Sequence, residues 1–125
     1  MGHDAHNIII AGTNEEDMQL ALEEINKSQG CIIIVDQGKI ISKVELPIAG
    51  LLSDKRANIV AKETREFKKY WNNYKCSIPY MGFNLLPLSV IPYIRLTNKG
   101  LVNVNKMSII PLLVIVCESP NMTTP

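Results

Sequence analysis

Several things are scarce in this sequence. Aromatic residues make up only 6% of it, with a single tryptophan at Trp71. Histidine occurs twice, at His3 and His6, so there is no His-x-His motif of the kind that ends a metal-binding strand. The three cysteines, Cys31, Cys76 and Cys117, are odd in number and far apart. Without a CxxC pair they support neither a zinc knuckle nor a disulfide framework, and a reducing, cytoplasmic setting fits best. Cys31 and Cys117 sit in apolar runs and read as small buried hydrophobes. Neither sign of charge is in excess: thirteen Lys and Arg against twelve Asp and Glu leave a net charge of +1. Nothing there forms an electrostatic footprint for nucleic acid or an anionic membrane. The longest apolar run, 109–117, is too short to span a bilayer and is interrupted by Pro111. No basic-then-apolar start is present, so no secretion signal is expected. There is no internal repeat, no low-complexity tract, no glycine-rich phosphate fingerprint and no P-loop lysine.

What remains is an ordinary globular composition, 46% hydrophobic and 20% charged over 125 residues. That length suits one domain able to bury roughly two-thirds of its unfolded surface. Ile8-Ile9-Ile10 is a β-branched block that reads as a strand buried on both faces. Thr13, with Glu16 three residues on, reads as a capping box, and Glu15, Glu16 and Asp17 suit the helix dipole. Met18, Ala21, Leu22 and Ile25 then form one apolar stripe, and Gly30 ends the helix. Cys31–Val35 is a second apolar strand, Asp36-Gln37-Gly38-Lys39 a turn, and Ile40–Leu46 an alternating, half-exposed strand.

Leu46–Leu52 is broken by Pro47 and Gly50 and reads as a buried loop or a single helical turn. Ser53-Asp54 reads as the cap of a long helix. There Val60, Thr64, Phe67, Trp71 and Tyr74 share the inner face; such an aromatic stripe is core far more often than a ligand cage. The stretch 78–92 is apolar but punctuated by proline, which suits edge strands or packing loops. A short strand or turn is expected within 101–105 and a further strand within 107–116. The expected class is α+β, loosely α/β: a mixed sheet with at least two packed helices, opening β-α-β-β, then a long helix and proline-broken strands. The expected domain is 1–117, followed by a disordered polar tail, 118–125.

The chemically richest stretch is Gly2-His3-Asp4-Ala5-His6-Asn7, which runs straight into Ile8. Two imidazoles, a carboxylate and an amide stand there at the entrance to an apolar run. They can relay a proton or orient a substrate near neutral pH. They can contribute metal ligands, although a site needs further fixed partners. Or they can simply hydrogen-bond the backbone at the strand entrance. Gly12-Thr13, opening a helix after an apolar run, has a geometry that binds phosphate. Cys31, in its apolar run, should have a raised thiol pKa and is a poor nucleophile.

Four segments together resemble the C-terminal domain of bacterial adenine deaminase. They are Gly2-His3-Asp4-Ala5-His6-Asn7 continuing through Met18, then Leu46-Pro47-Ile48-Ala49-Gly50-Leu51-Leu52-Ser53, then Leu86-Pro87-Leu88-Ser89-Val90-Ile91-Pro92, and lastly Lys99-Gly100-Leu101-Val102 leading to Ile110-Pro111-Leu112. They occur in the family's order, and the first is the most specific. Ala5 departs from a usual serine, and Asn98 and Asn103 from common aspartates.

The resemblance implies part of a purine-salvage hydrolase that converts adenine and water to hypoxanthine and ammonia. It implies a divalent metal (manganese, iron or zinc) held by an amidohydrolase barrel, with no cofactor on this chain. The barrel, as domain or subunit, is the implied partner, and a homo-oligomer is expected. His3, Asp4 and His6 are then the residues expected to support the barrel's site. The chain reads as a detached C-terminal domain, silent by itself. The alternative is a stand-alone purine-binding or scaffold module without catalysis.

Overall fold

The computed structural model describes residues 7–76, 78 and 82–113. They fall into two compact units, Met1–Leu88 and Ser89–Pro125.

In the first unit, α1 (Glu15–Lys27) precedes β1 (Cys31–Asp36), β2 (Lys39–Glu45) and α2 (Ala57–Asn73). The cap of α1 is Asn14, one residue later than the expected Thr13. Asn14, in extended backbone, accepts a hydrogen bond from the Asp17 N–H and donates its amide to the Asp17 carboxylate. β1 and β2 pair antiparallel through a two-residue turn in which Gln37 and Gly38 both have positive φ, 51° and 71°. That mirror-image turn matches the right-handed twist of a hairpin. Ile41 is the extra residue of a β-bulge between the Ile34–Ser42 and Val35–Ile40 pairs.

Pleating sends Ile32, Ile34 and Val44 to one face and Cys31, Ile33, Lys43 and Glu45 to the other. On the first face α2 inserts Phe67, only 1% exposed, against Val44 and Leu46, flanked by Ile32, Ile34, Val60 and Trp71. The Phe67 and Trp71 rings stack with centroids 6.0 Å apart. On the other face Lys43 reaches Glu24 of α1 at 3.4 Å. Lys43 also pairs with Glu45 at 2.9 Å, and Lys55 bridges Glu45 and Glu63 of α2 at 3.4 and 2.9 Å. The expected aromatic stripe of α2 is thus seated inward through Phe67 and Trp71. The α2 cap is not the expected Ser53-Asp54: the helix starts on Arg56 with no side-chain cap. Ser53 instead accepts from the Lys55 N–H at 3.3 Å, three residues too early to serve the helix.

Two further expectations change. Ile8–Ile10 is not a strand: β1 pairs only with β2, so among the described residues no neighbour supplies a ladder for it. Leu46–Leu52 is neither a buried loop nor a helical turn. It is a tight hairpin in which Ile48 and Leu52 exchange both backbone hydrogen bonds at 3.1 Å. Its tip explains the Pro-Ile-Ala-Gly spacing. A Cβ placed on Gly30 would lie 2.5 Å from the Gly50 Cα, and Gly30 itself has φ of 135°. The two backbones meet where no side chain fits.

The second unit is a three-stranded antiparallel meander of β3 (Ile94–Thr97), β4 (Gly100–Asn103) and β5 (Ser108–Ile110). Asn103 accepts from the Lys106 N–H at 3.1 Å and caps the 3-10 turn that follows. The α+β class therefore stands, with two antiparallel sheets in place of one mixed sheet. The buried apolar side chains among the described residues, Ala21, Cys31, Val44, Leu46 and Phe67, all belong to the first unit. The tail 118–125 lies outside the described residues.

Phe67→Ala is expected to cost about 3–5 kcal/mol of stability by emptying this small core. Gly30→Ala is expected to cost roughly 1–3 kcal/mol through backbone strain, with relief of the Gly50 clash in addition. Urea unfolding followed by Trp71 fluorescence measures both, and a Gly30→Ala chain as stable as wild type would refute the backbone contact.

Candidate functional site

The first unit contains a cleft of about 920 Å³. One wall is the amino-terminal segment, Asn7 through Asn14, continuing into Asp17, Met18, Ala21 and Ile25 of α1. The facing wall is the whole of β1, from Cys31 to Asp36. Phe67, Trp71 and Tyr74 contribute from α2, and Asn84 from the 3-10 turn Gly82–Leu85. The Ile8–Ile10 block thus lines a cleft where a strand was expected. Its volume falls in the range of small-molecule sites, as does an apolar lining with a few polar groups.

The charges in this lining are already engaged. The Asp17 carboxylate receives the Gln37 and Gly38 N–H groups at 3.1 and 2.7 Å, in addition to Asn14. The Asn14 hydrogen bond foremost, then that from Gly38, hold its pKa below the ordinary 3.8. The Tyr74 hydroxyl donates to Asp36 at 2.8 Å, and that bond to a carboxylate raises the phenol's pKa. The Cys31 thiol is pushed up by burial, as its apolar run implied. The Trp71 indole donates to the Ile78 carbonyl at 2.8 Å, which fixes the ring. No Lys, Arg or His appears in the described lining. Gly12-Thr13 therefore faces acids rather than a cation, and a phosphate there would meet Glu15, Glu16 and Asp17.

Asn84 is the exception among the polar residues. It is 7% exposed, the one buried polar residue among those described. The sequence reading passed over it because it lies in a proline-punctuated apolar stretch. Its one signal was that it is the only amide between Phe83 and Pro92.

His3, Asp4 and His6 lie outside the described residues; Asn7, which follows them, lines the cleft. Among the described residues no three His, Cys, Asp or Glu side chains converge. No described helix is long and apolar enough to cross a membrane.

These features define a small α+β domain with a neutral, largely apolar cleft. Residues 1–108 match the family described as the adenine deaminase C-terminal domain. An adenine deaminase of Chelativorans sp. (strain BNC1) is 60% identical over 112 residues, covering 90% of this chain and 19% of that protein. Adenine deaminase 2 of Bradyrhizobium sp. (strain ORS 278) is 59% identical over the same shares. An adenine deaminase of Clostridium botulinum (strain ATCC 19397 / Type A) is 40% identical over 116 residues, 91% of this chain and 19% of that protein. No solved structure matches. The chain belongs to the adenine deaminase C-terminal domain family, and it spans about a fifth of the length of the curated relatives it matches.

The Asp17 contacts carry a pH signature. Because its folded pKa is lowered, its contribution is present above the unfolded value near 3.8 and is lost as pH falls through the folded value. Hydrogen exchange should show the Gly38 amide protected at neutral pH and losing protection selectively below about pH 4. Asp17→Asn should remove that acid dependence, and an unchanged acid response in the variant would refute it.

Proposed function

We propose that this chain works as the C-terminal domain of an adenine deaminase, completing an amidohydrolase barrel that lies outside it. The reaction is the hydrolysis of adenine to hypoxanthine and ammonia in a cytoplasmic, bacterial purine-salvage setting. The observation that carries this reading is the match of nine-tenths of the chain to proteins named adenine deaminase. A divalent metal, manganese, iron or zinc, belongs in this reading to the barrel. There it would activate water for attack on the amino-bearing carbon.

The assigned contribution of this chain is twofold. His3, Asp4 and His6 precede Asn7, and titrating groups there would orient substrate or carry a proton at the barrel site. The second contribution is a docking surface. The second unit has no buried apolar side chain among its described residues, while Tyr93, Ile94, Leu96, Met107 and Ile109 are half or more exposed. Apolar surface on that scale calls for a covering partner, the barrel or a second copy in a homo-oligomer. The second reading, a purine-binding module without catalysis, is favoured by one observation, the cleft of the first unit.

Adenine deamination with manganese decides between them. The chain alone should be silent, and mixing it with a separately expressed barrel portion of a full-length relative should restore turnover. His6→Ala should then lower the restored rate by roughly a hundredfold, the usual scale for a lost acid–base group. An unchanged rate would remove the histidine's role. Silence on mixing, with the two parts shown to associate, would leave the module reading.

A further inference from the structure

We propose that the meander of the second unit docks on a protein face that is apolar at its centre and carries carboxylates at its rim. That face belongs to the barrel portion of the enzyme and not to a second copy of this chain. The inference deepens the proposed function and rests on it.

The apolar part follows from the register. Ile94 pairs with Asn103, Leu96 with Leu101, and Leu101 with Ile110. Residues directly opposite each other on antiparallel strands project to the same side. Ile94, Leu96, Leu101 and Ile110 therefore share one face of the sheet. Ile94 and Leu96 are 51% and 53% exposed, and no described residue of this unit is buried. A sheet this small depends on covering such a face.

Charge identifies the cover. From Ser89 to Leu113 the charged residues are Arg95, Lys99 and Lys106, three cations and no acid. The ion pairs among the described residues all lie in the first unit. Lys99 stands in the β3–β4 turn, where its N–H donates to Thr97 Oγ1 at 3.1 Å. Lys106 stands in the 3-10 turn at the other end of β4, where its N–H donates to Asn103 Oδ1 at 3.1 Å. The length of β4 sets the two about 13 Å apart, at roughly 3.3 Å per residue. Arg95 donates from Nη1 to the Ile94 carbonyl at 2.8 Å. None of the three cations meets a carboxylate among the described residues, so the unit lacks acids that a partner can supply.

The same distribution rules out the other covers. A second copy seated face to face sets cation against cation and brings no acid. Three cations spread over the ends and edge of a sheet are not the cluster of roughly four to eight that an anionic membrane selects. They do not form the phosphate-tracking stripe that a nucleic acid requires either. An apolar patch with a lysine at each end has the anatomy of a protein interface, an apolar centre within a polar rim. This chain matches 19% of the relatives it resembles, so about four-fifths of each lies elsewhere and can carry the complementary face.

The experiment measures binding of the full chain to the separately expressed barrel portion of a full-length relative, by titration calorimetry and independently of turnover. Saturable binding is expected, weakening roughly tenfold between about 0.05 and 0.5 M salt as the rim pairs are screened. Lys99→Glu combined with Lys106→Glu should weaken it roughly tenfold or more at low salt and much less at high salt. Leu96→Asp should weaken it at both. The salt series uses the unaltered chain, so the charge argument is tested even if a variant does not fold. Binding indifferent to salt and to these substitutions overturns the proposal and leaves the domain assignment standing. Absence of binding overturns the assignment, and the proposal with it. A chain that dimerises through Leu96 overturns the proposal in favour of a second copy. Lysine-dependent binding to vesicles of equal parts phosphatidylcholine and phosphatidylserine, with none to the barrel portion, overturns it in favour of a membrane.

Discussion

A two-stranded ribbon cannot hold itself together in water, and that constraint organises the first unit. β1 and β2 offer one apolar face, and α2 fills it with a single large side chain, Phe67, closed over by Val44 and Leu46. With so small a core, the supporting contacts matter. Trp71 stacks on Phe67 and is pinned through its indole N–H to Ile78. Gly30 and Gly50 bring the start of β1 against the hairpin tip more closely than any side chain allows. The charged row Lys27, Glu24, Lys43, Glu45, Lys55 and Glu63 runs from α1 across β2 to α2. Its members are partly solvated, so it sets the placement of the helices on the ribbon more than it adds stability.

The cleft follows from the same shortage of strands. With β2 on one edge of β1, its other edge has no strand beside it among the described residues, and the whole strand lines the cleft. Ile8–Ile10, which has the composition of a strand, lines it too without joining a ladder. Asp17 ties the first turn of α1 to the β1–β2 turn by accepting both of its N–H groups. That contact fixes two elements that bound the cleft at a distance in sequence of twenty residues or more.

Much of this was legible because it is local. Asp36-Gln37-Gly38-Lys39 announces a hairpin through backbone that needs positive φ, and the hairpin is there. The stripes of α1 and α2 announce amphipathic helices, and Phe67 is the most buried residue named among the large side chains. The family was legible as well, from segments that recur in order, and residues 1–108 match it. What failed depended on partners distant in the chain. Ile8–Ile10 has strand propensity, but a strand exists only where a neighbour pairs with it. Ser53-Asp54 is a good cap sequence used for a local turn instead. Nothing near Gly30 in the sequence says that Gly50 will lie against it. Asn84 looked like one polar residue in an apolar stretch, and only packing reveals that it is buried.

The distribution of chemistry separates two tasks. All histidine lies ahead of Asn7, whereas the described cleft offers an amide, aromatic surface and carboxylates already engaged by hydrogen bonds. Proton transfer needs a group free to change charge near the working pH. Asp17 is held ionised by its donors, the Tyr74 phenol is held neutral by Asp36, and the Cys31 thiol is held neutral by burial. Each of these is moved away from neutrality rather than toward it, which is the reverse of how a general acid or base is tuned. The described part of the first unit therefore keeps its own charges fixed by hydrogen bonds and burial.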